Sequence, residues 1–437
     1  MKLRLAAATA LSLLGAAALA SPALANGTLG SPAASPAGTY GGIQFVQYDG
    51  VFAGQTSTGS YRVPYRVFAP SNSKKGNGAV LVEVPHAIGG LGALEFALGR
   101  DFLLSRGFAH AGVGYSTADF TEPGGPTGNL RILDPSVPGV FINGGYTDPD
   151  VGGQTDEEIV VDFGRALKSD PVAKSILKSL KWRYLTGYSD SSVPVLDIVN
   201  SGQAEGVFDL IAPHVALVGP DPQVVIASHG YSGKVVILNS EWQVEPSADL
   251  LDRGVAPRQY RFYQVAGAPH VSDFLDPPDF WSTSTPASYQ PELRAHFIQG
   301  HLWVTEGTSP PPSTHLLTDG GSLVRDANGN SIVVDARGKR VARLPFVELG
   351  EARFFGDDFL GTYDQVKSFA QLGFKNAESY LNAFEKKLDD YVNAVGILEE
   401  DAQAMRCRAA LDPTRTFTES YRDSYAAFVE AAACDQH

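Results

Sequence analysis

The chain has little cysteine, fewer basic than acidic residues and only one long apolar run, and each of these scarcities excludes some classes of protein. Among 437 residues there are two cysteines, 34 basic residues and 48 acidic residues. Two cysteines without clustered histidines carry no metal-binding signature. The resulting net charge of −14 disfavours nucleic acid or anionic lipid as a partner and suits a small neutral or apolar substrate.

The one long apolar run lies at the N-terminus and has the parts of a secretion signal. Lys2 and Arg4 precede the alanine-rich stretch Leu5–Leu19, and Ala23-Leu24-Ala25 is a small-x-small cleavage site. The alternative is a membrane anchor, but the run is shorter than the about 20 apolar residues that span a bilayer. We therefore expect residues 1–25 to be a signal peptide, with the mature chain starting at Asn26. The product is predicted to be secreted or periplasmic, without membrane insertion once the signal is removed.

The two cysteines, Cys407 and Cys434, both lie near the C-terminus. In an exported protein they meet an oxidising compartment, so a disulfide between them would join two C-terminal helical segments. Two buried free thiols are the alternative.

Residues 26–40 are rich in Gly, Ser, Pro and Ala, and this composition predicts a flexible N-terminal linker. From residue 41 to residue 310 strand-like and helix-like patterns alternate, which predicts an α/β core with a mostly parallel central sheet flanked by helices. Residues 118–153 hold many Gly and Pro and indicate a long surface loop. The predicted strands are Gly42–Tyr48, Tyr61–Phe68, Ala79–Val84, Phe108–Tyr115, Arg183–Tyr188, Val207–His214, Lys234–Ser240 and Tyr260–Gly267. The predicted helices are Leu94–Arg106, Thr155–Leu180, Ser191–Asn200 and Pro291–Val304.

Residues 311–437 no longer show the alternating strand and helix patterns of residues 41–310, and they are predicted to form a C-terminal appendage of β-hairpins and helices. Two turn signals, Asn328-Gly329 and Arg337-Gly338, separate short β-like runs, and residues 361–434 have helical spacing of apolar residues. The segment "DANGN", Asp326–Asn330, hints at a calcium loop. Its glycine stands at the fourth place and no glutamate follows at the twelfth, so a hairpin turn is favoured.

The segment "GYSDS", Gly187 to Ser191, stands at the junction of a predicted strand and a predicted helix. A nucleophile elbow has small residues two before and two after its serine, because the turn from strand to helix is too tight for larger ones. Gly187 and Ser191 satisfy that need around Ser189. A polar turn with Ser189 as helix N-cap is the alternative.

A serine hydroxyl needs a base to take its proton and an acid to orient that base. Glu241 directly follows the strand Lys234–Ser240, and His270 follows the strand Tyr260–Gly267. Both therefore lie at carboxyl ends of predicted parallel strands, as Ser189 does, where open α/β sheets place their sites.

Other residues compete for these roles. Asp249 and Asp252 follow Glu241 closely and are alternative acids. His214 and His229 are alternative bases, although His214 comes too early in the order of serine, acid and histidine.

An oxyanion hole requires two backbone N–H groups near the developing negative charge. Asp190, directly after Ser189, is predicted to supply one. The glycine-rich loop Pro85–Gly92 is predicted to supply the other from Ala87. Three neighbouring side chains are candidates for the substrate pocket: His86, Tyr188 and Trp242.

Several stretches together resemble a bacterial family of exported serine hydrolases whose members are labelled α/β hydrolase domain-containing proteins. They are "RYLTGYSDSSVPVLDIVNSGQAEGVFDLIAPHVA", "VVILNSEWQV", "GAPHVSD" and "HLWVTEGTSPPPS". The later "LVRDANGNSIVVDARGKRVARLPFVEL" and "LDPTRTFTESYRDSYAAFVEAA" are similar to that family's C-terminal portion. The resemblance implies an α/β-hydrolase fold, with Ser189 as nucleophile, Glu241 as acid and His270 as base.

The chain departs from that family's pattern at two places. Asp190 stands where the family tends to have Gln, and its carboxylate disfavours an oxyanion unless the side chain points away. The loop "PHAIGG" replaces an Asn-Arg-Gly-like turn. Both departures bear on the choice of substrate.

We therefore expect an exported serine hydrolase that cleaves carboxylic esters, small or polymeric, through an acyl-enzyme. No metal or organic cofactor is implied, and the oligomeric state is not indicated. One alternative is the same machinery acting on amides or peptides. Another is an inactive binding protein on a hydrolase fold.

Overall fold

A ten-stranded mixed sheet forms the centre of the molecule in the computed structural model, which describes residues 27–57, 59–85, 98–115, 157–216, 219–244, 247–271, 285 and 287–409. Its strands are β1 (Thr28–Leu29), β2 (Ala33–Tyr40), β3 (Ile43–Gln55), β4 (Ser60–Pro70), β5 (Ala79–Glu83), β6 (Ala109–Val113), β7 (Trp182–Thr186), β8 (Leu210–Ile211), β9 (Lys234–Ser240) and β10 (Tyr260–Val265). Their spatial order is β1-β3-β4-β6-β5-β7-β8-β9-β10, and β2 pairs with β3.

The N-terminal strands are antiparallel and the rest are parallel. β1, β2 and β4 all run antiparallel to β3, and β4 runs antiparallel to β6. From β6 through β5, β7, β8 and β9 to β10 every pairing is parallel. Because all these parallel strands end at one edge, the residues that follow β7, β9 and β10 lie together.

Helices cover both faces of the sheet. In the sheet part of the chain they are α1 (Arg100–Ser105), α2 (Glu157–Ser169), α3 (Pro171–Ile176), α4 (Ser192–Asn200), α5 (Pro222–Ala227) and α6 (Gln290–Thr305). β5 is buried throughout, and its alternate side chains enter two separate cores. Val80 belongs to the same core as Val160 of α2 and Leu196 of α4, whereas Leu81 belongs to the same core as Phe297 of α6. The predicted α/β-hydrolase fold is confirmed.

In the sheet part of the chain the predicted strand Val207–His214 is shorter, Leu210–Ile211, and two further segments differ from their predictions. Within the predicted linker 26–40, β1 and β2 are strands, and Ala33–Tyr40 pairs along Ile43–Asp49. Pro36 fits there because the register shifts at a bulge next to it, and a bulge is where a strand tolerates a missing N–H. The predicted helix Thr155–Leu180 is two helices, since Pro171 begins a new one and Asp170 caps it by accepting from the N–H of Val172 at 2.7 Å.

The C-terminal appendage consists of small antiparallel sheets and helices. Its elements are β11 (Thr314–Leu316), β12 (Thr318–Asp319), β13 (Ser322–Leu323), β14 (Val333–Asp335), α7 (Pro345–Leu349), β15 (Arg353–Phe355), β16 (Thr362–Asp364), α8 (Ala377–Val395) and α9 (Glu399–Ala409). The predicted helical stretch 361–434 therefore begins with a strand, and helix starts only at Ala377.

Asp326–Asn330 is a turn, as the hairpin interpretation predicted. The N–H of Gly329 donates to the Asp326 carbonyl at 2.9 Å, and Gly329 has a φ of 81°, which favours glycine. The Asp326 carboxylate accepts from the N–H of Asn328 and pairs with Arg343 at 2.7 Å. Its oxygens are thus used by the turn and by Arg343.

Several predictions fall outside the described residues: the signal peptide 1–25, the loop 118–153, His86, Ala87, Cys434 and the side chain of Cys407. Among the helices that are described, none combines the length and apolar character needed to cross a bilayer. In the same part of the chain no three His, Cys, Asp or Glu side chains group closely enough to hold a metal ion.

Candidate active site

The turn between β7 and α4 places Ser189 at the carboxyl edge of the sheet. β7 ends at Thr186, a short 3-10 turn covers Ser189–Ser191, and α4 follows directly. Ser189 has a φ of 55°, in the left-handed region that a serine rarely adopts. Its N–H donates to the His214 carbonyl at 3.0 Å. A strained serine between strand and helix is the geometry of a nucleophile elbow.

The two small residues around Ser189 are needed for different reasons. A Cβ on Gly187 would lie 2.2 Å from the Ser191 carbonyl oxygen, so only glycine fits there. The Ser191 hydroxyl accepts from the N–H of Tyr188 at 2.8 Å and donates to the Tyr188 carbonyl at 2.9 Å. Ser191 thus closes the turn through its side chain, which explains why this position is small without being glycine.

His270 lies directly beside Ser189. It follows β10 in the segment "GAPHV", and its Nε2 is 2.7 Å from Ser189 Oγ, within hydrogen-bond distance. Both side chains are nearly enclosed, with 6% of Ser189 and 2% of His270 exposed. The structure therefore brings the predicted nucleophile and base together, in the geometry that a nucleophile–base pair requires.

Four aromatic residues hold His270 in place. The hydroxyls of Tyr188 and Tyr289 donate to the His270 carbonyl at 2.9 Å and 3.1 Å. The Phe359 ring stacks on the imidazole with centroids 4.7 Å apart, and the Trp242 ring lies 4.8 Å away at a tilt. Tyr188 and Trp242, both predicted pocket residues, therefore contact the candidate base.

Glu241 begins the 3-10 turn Glu241–Gln243 after β9 and is 1% exposed. Its Oε2 accepts from the N–H of Gly267 at 2.6 Å, and its Oε1 lies 3.0 Å from Arg325 of the appendage. Burial raises the pKa of the Glu241 carboxyl, against the opposing effect of Arg325 and the Gly267 N–H. The carboxylate thus fastens the segment that leads to His270.

The neighbour of the second imidazole nitrogen is Gln243, two residues beyond Glu241. Its Nε2 lies at hydrogen-bond distance from His270 Nδ1. Gln243 is completely buried. The side of the imidazole that faces the acid in a Ser-His-acid triad is therefore occupied here by an amide.

The alternative acids and bases are engaged elsewhere or exposed. Asp252 accepts from the Ser313 hydroxyl at 2.5 Å, and Asp249 is exposed. His229 is exposed in the turn after α5. His214 is 3% exposed, and burial lowers its pKa to about 3. Its carbonyl accepts from the Ser189 N–H, so its backbone supports the elbow.

The sequence predicts that the Asp190 carboxylate disfavours an oxyanion unless its side chain points away, and the structure shows how this side chain is bound. Its carboxylate Oδ1 accepts from the N–H of Ser191 at 2.8 Å, next to the N-terminus of α4. The positive end of that helix offsets a nearby negative charge. The predicted oxyanion donor at the Asp190 N–H stays a prediction, and its predicted partner Ala87 lies outside the described residues.

Sequence reasoning missed four residues of this site: Gln243, Tyr289, Arg325 and Phe359. For Gln243 a signal exists, since Ser240 and Gln243 form the S-x-x-Q pattern of a capping box. Phe359 and Arg325 come from the appendage, and no local pattern in the chain connects them with His270.

Comparison with known protein families places the chain in one of them. A family model described as an alpha/beta hydrolase domain matches residues 37–406. No curated protein matches the chain.

Among solved structures, an S-formylglutathione hydrolase from Agrobacterium tumefaciens has 10% identity and a TM-score of 0.31, covering 47% of this chain and 78% of that chain. A glucuronoyl esterase from Solibacter usitatus has 12% identity and a TM-score of 0.32, and the match covers 55% of this chain and 74% of the esterase. The rice cell wall degrading esterase LipA from Xanthomonas oryzae has 14% identity and a TM-score of 0.27, and the match covers 44% of this chain and 50% of LipA. The family model spans most of the chain, and the chain therefore belongs to the alpha/beta hydrolase domain family.

Proposed function

We propose that this protein is a serine hydrolase that cleaves carboxylic esters through an acyl-enzyme. The observation that carries the proposal is the 2.7 Å contact between Ser189 Oγ and His270 Nε2, at a serine whose φ is 55° in a strand-to-helix turn. Membership of the alpha/beta hydrolase domain family supports the same reaction class.

The proposed steps use these two side chains and water. Ser189 Oγ attacks the acyl carbonyl carbon while its proton passes to His270 Nε2. The tetrahedral oxyanion collapses, the bond to the leaving oxygen breaks, and His270 returns the proton to the departing alcohol. Water then attacks the acyl-enzyme by the same route, and Ser189 is regenerated.

The oxyanion is proposed to be held by backbone N–H groups, one of them from Asp190. The Asp190 N–H lies at the start of the turn that leads into α4, where N–H groups and the helix dipole favour negative charge. Ala87 is proposed as the second donor. His86, Tyr188 and Trp242 are proposed to line the substrate pocket around it.

Glu241 is the acid that the sequence predicts, and its proposed effect on the imidazole operates through the loop. Its carboxylate binds the N–H of Gly267, three residues before His270, and that bond restrains the segment between β10 and the imidazole. The ion pair with Arg325 adds the appendage to the same restraint.

Hydrolysis of paired substrates tests the proposal. We expect the purified protein to release 4-nitrophenol from 4-nitrophenyl acetate and to leave the matching acetanilide intact, and we expect Ser189→Ala to abolish ester turnover. A matched control is Ser192→Ala, whose hydroxyl bonds the Ser189 carbonyl within the turn and takes no part in the proposed chemistry. Turnover that survives Ser189→Ala contradicts the proposal, and preferential cleavage of the amide favours the amidase alternative.

Export and a Cys407–Cys434 disulfide are also part of the proposal. Mass spectrometry of the protein secreted by its host should show a mature chain that begins at Asn26. Alkylation should add no label before reduction and two labels after reduction. An unprocessed N-terminus, or two thiols alkylated without reduction, contradicts the respective prediction.

A further inference from the structure

Gln243 faces one imidazole nitrogen of His270, and the role inferred for it rests on the function proposed above. Gln243 is completely buried at the end of the turn Glu241–Gln243. Its amide contacts Ser240, whose backbone N–H and hydroxyl both donate to Oε1, and His270. Oε1 accepts from the N–H of Ser240 at 3.0 Å, and Nε2 lies against His270 Nδ1.

The donors and acceptors at these contacts fix the orientation of the amide. The backbone N–H of Ser240 can only donate, so it requires the amide oxygen of Gln243. The amide NH2 is then left facing His270 Nδ1, and it too can only donate. A rotated amide would set NH2 against the Ser240 N–H, with two donors face to face and a buried N–H left unpaired.

This orientation selects one tautomer of the neutral imidazole. Because Gln243 donates to Nδ1, that nitrogen carries the lone pair and the ring proton resides on Nε2. Nε2 is the atom that lies 2.7 Å from Ser189 Oγ. In this tautomer Nε2 donates to the serine and cannot accept its proton, so the turnover proposed above proceeds through the less populated tautomer with the proton on Nδ1.

We propose that Gln243 is a positioning residue that holds His270 in the Nε2–H tautomer, so that the wild-type site is a restrained hydrolase which a carboxylate at position 243 would activate. A glutamate has the same shape and two acceptor oxygens. One oxygen keeps the bond from the Ser240 N–H, and the other accepts from His270 Nδ1–H, which frees the Nε2 lone pair for Ser189.

The size of the effect can be bounded from a related case. Asparagine in place of the aspartate of a serine protease triad lowers kcat about 10⁴-fold because it stabilises the wrong tautomer. We therefore expect Gln243→Glu to raise kcat/KM for 4-nitrophenyl acetate by at least about tenfold and by at most about 10⁴-fold.

The competing assignment gives the orienting role to Glu241, and the kinetic experiment separates the two. Glu241→Gln keeps the shape of that side chain and removes its charge. If Glu241 supplies the carboxylate of a triad, Glu241→Gln lowers kcat/KM by about 10⁴-fold and Gln243→Glu gives no gain. That result overturns the inference while the proposed function stands.

A spectroscopic readout tests the tautomer without relying on turnover. The protein is labelled with ¹⁵N-histidine, and His270 is assigned by the signal that disappears in His270→Asn. At a pH where the ring is neutral we expect Nε2 to be protonated in the wild type and Nδ1 to be protonated in Gln243→Glu. A wild-type spectrum with the proton on Nδ1 overturns the inference.

The two proposals fail separately. If the tautomer moves as expected and neither protein hydrolyses an ester, the proposed function fails and the positioning role of Gln243 stands. If both proteins hydrolyse esters equally fast and share one tautomer, the proposed function stands and the inference fails. Circular dichroism of each variant establishes that the protein compared is folded.

Discussion

Substitution of Gly187 by alanine tests whether the tight turn at Ser189 is as the structure describes it. A Cβ at Gly187 would lie 2.2 Å from the Ser191 carbonyl oxygen, 2.6 Å from the Ser191 carbonyl carbon and 3.0 Å from the Ser192 nitrogen. All three atoms belong to the backbone, so no side chain can rotate away to make room. The turn must open to admit even one methyl group.

The expected magnitude follows from the size of that opening. Relief of the closest contact needs a displacement approaching about 1 Å, and a misplacement of that size at a reacting group costs about 100-fold in rate. Overpacking of this kind also lowers the free energy of unfolding by about 1–3 kcal/mol. Gly187→Ala should therefore lose about 100-fold in kcat/KM and remain folded at room temperature.

The assay combines ester kinetics with urea denaturation of the same preparations. The matched control is Gly76→Ala, because Gly76 has a φ of −77° and its added Cβ would meet nothing closer than a Pro70 side-chain atom at 3.3 Å. That variant should keep its kcat/KM and its unfolding free energy. Wild-type kinetics in Gly187→Ala would refute the reasoning that a tight turn positions Ser189.

Three further predictions concern the appendage. Phe359→Ala removes the ring stacked on His270, and since such ring pairs contribute about 0.5–1.5 kcal/mol, kcat/KM for ester hydrolysis should fall about two- to tenfold; an unchanged value means that the stack does not position the imidazole. Arg343→Met removes a buried guanidinium from the half-buried carboxylates of Asp326 and Glu348, which keep Arg340 at 3.7 Å and 3.2 Å, so urea denaturation should show a loss of about 1.5–3 kcal/mol, and a loss within experimental error contradicts it. Burial raises the pKa of the Asp326 carboxyl, but Arg343 and backbone N–H groups outweigh this effect and lower the pKa. The carboxylate therefore stabilises the fold above the unfolded pKa of about 3.9, and this stability is lost as pH falls through the folded pKa. Asp326→Asn should flatten the acid side of a plot of unfolding free energy against pH, and an unchanged acid side counts against the ion pair.

The parallel part of the sheet could be predicted from the sequence because buried parallel strands have a distinctive apolar pattern. β7, β9 and β10 lie at their predicted places, and the polar residues at their carboxyl ends meet as the fold requires. For this reason the order of strands along the chain is enough to pair Ser189 with His270.

The edge of the sheet could not be predicted from composition. Ala33–Tyr40 has the glycine, serine and proline content of a linker, but its backbone finds partners along β3. A strand of this kind is stabilised mainly by main-chain hydrogen bonds at an edge, and composition does not report them.

The direction of a short turn was also missed, although the S-x-x-Q pattern of Ser240 and Gln243 is a signal for it. Glu241 and Gln243 stand in the same 3-10 turn, two residues apart, and either could be expected to face His270. The capping bond from Ser240 to Gln243 decides that Gln243 does so, while Gly267 and Arg325 occupy Glu241. A carboxylate is the expected partner of a catalytic histidine, so sequence reasoning chose the charged residue.

The central claim is that Ser189 is an activated nucleophile, and covalent labelling tests it most directly. The folded protein is incubated with a fluorophosphonate probe and digested, and the modified peptide is identified by mass spectrometry, with Ser189→Ala as the control. The account predicts an adduct on Ser189 that is absent from the alanine variant. A folded wild-type protein that acquires no adduct, or acquires it on another residue, contradicts the account.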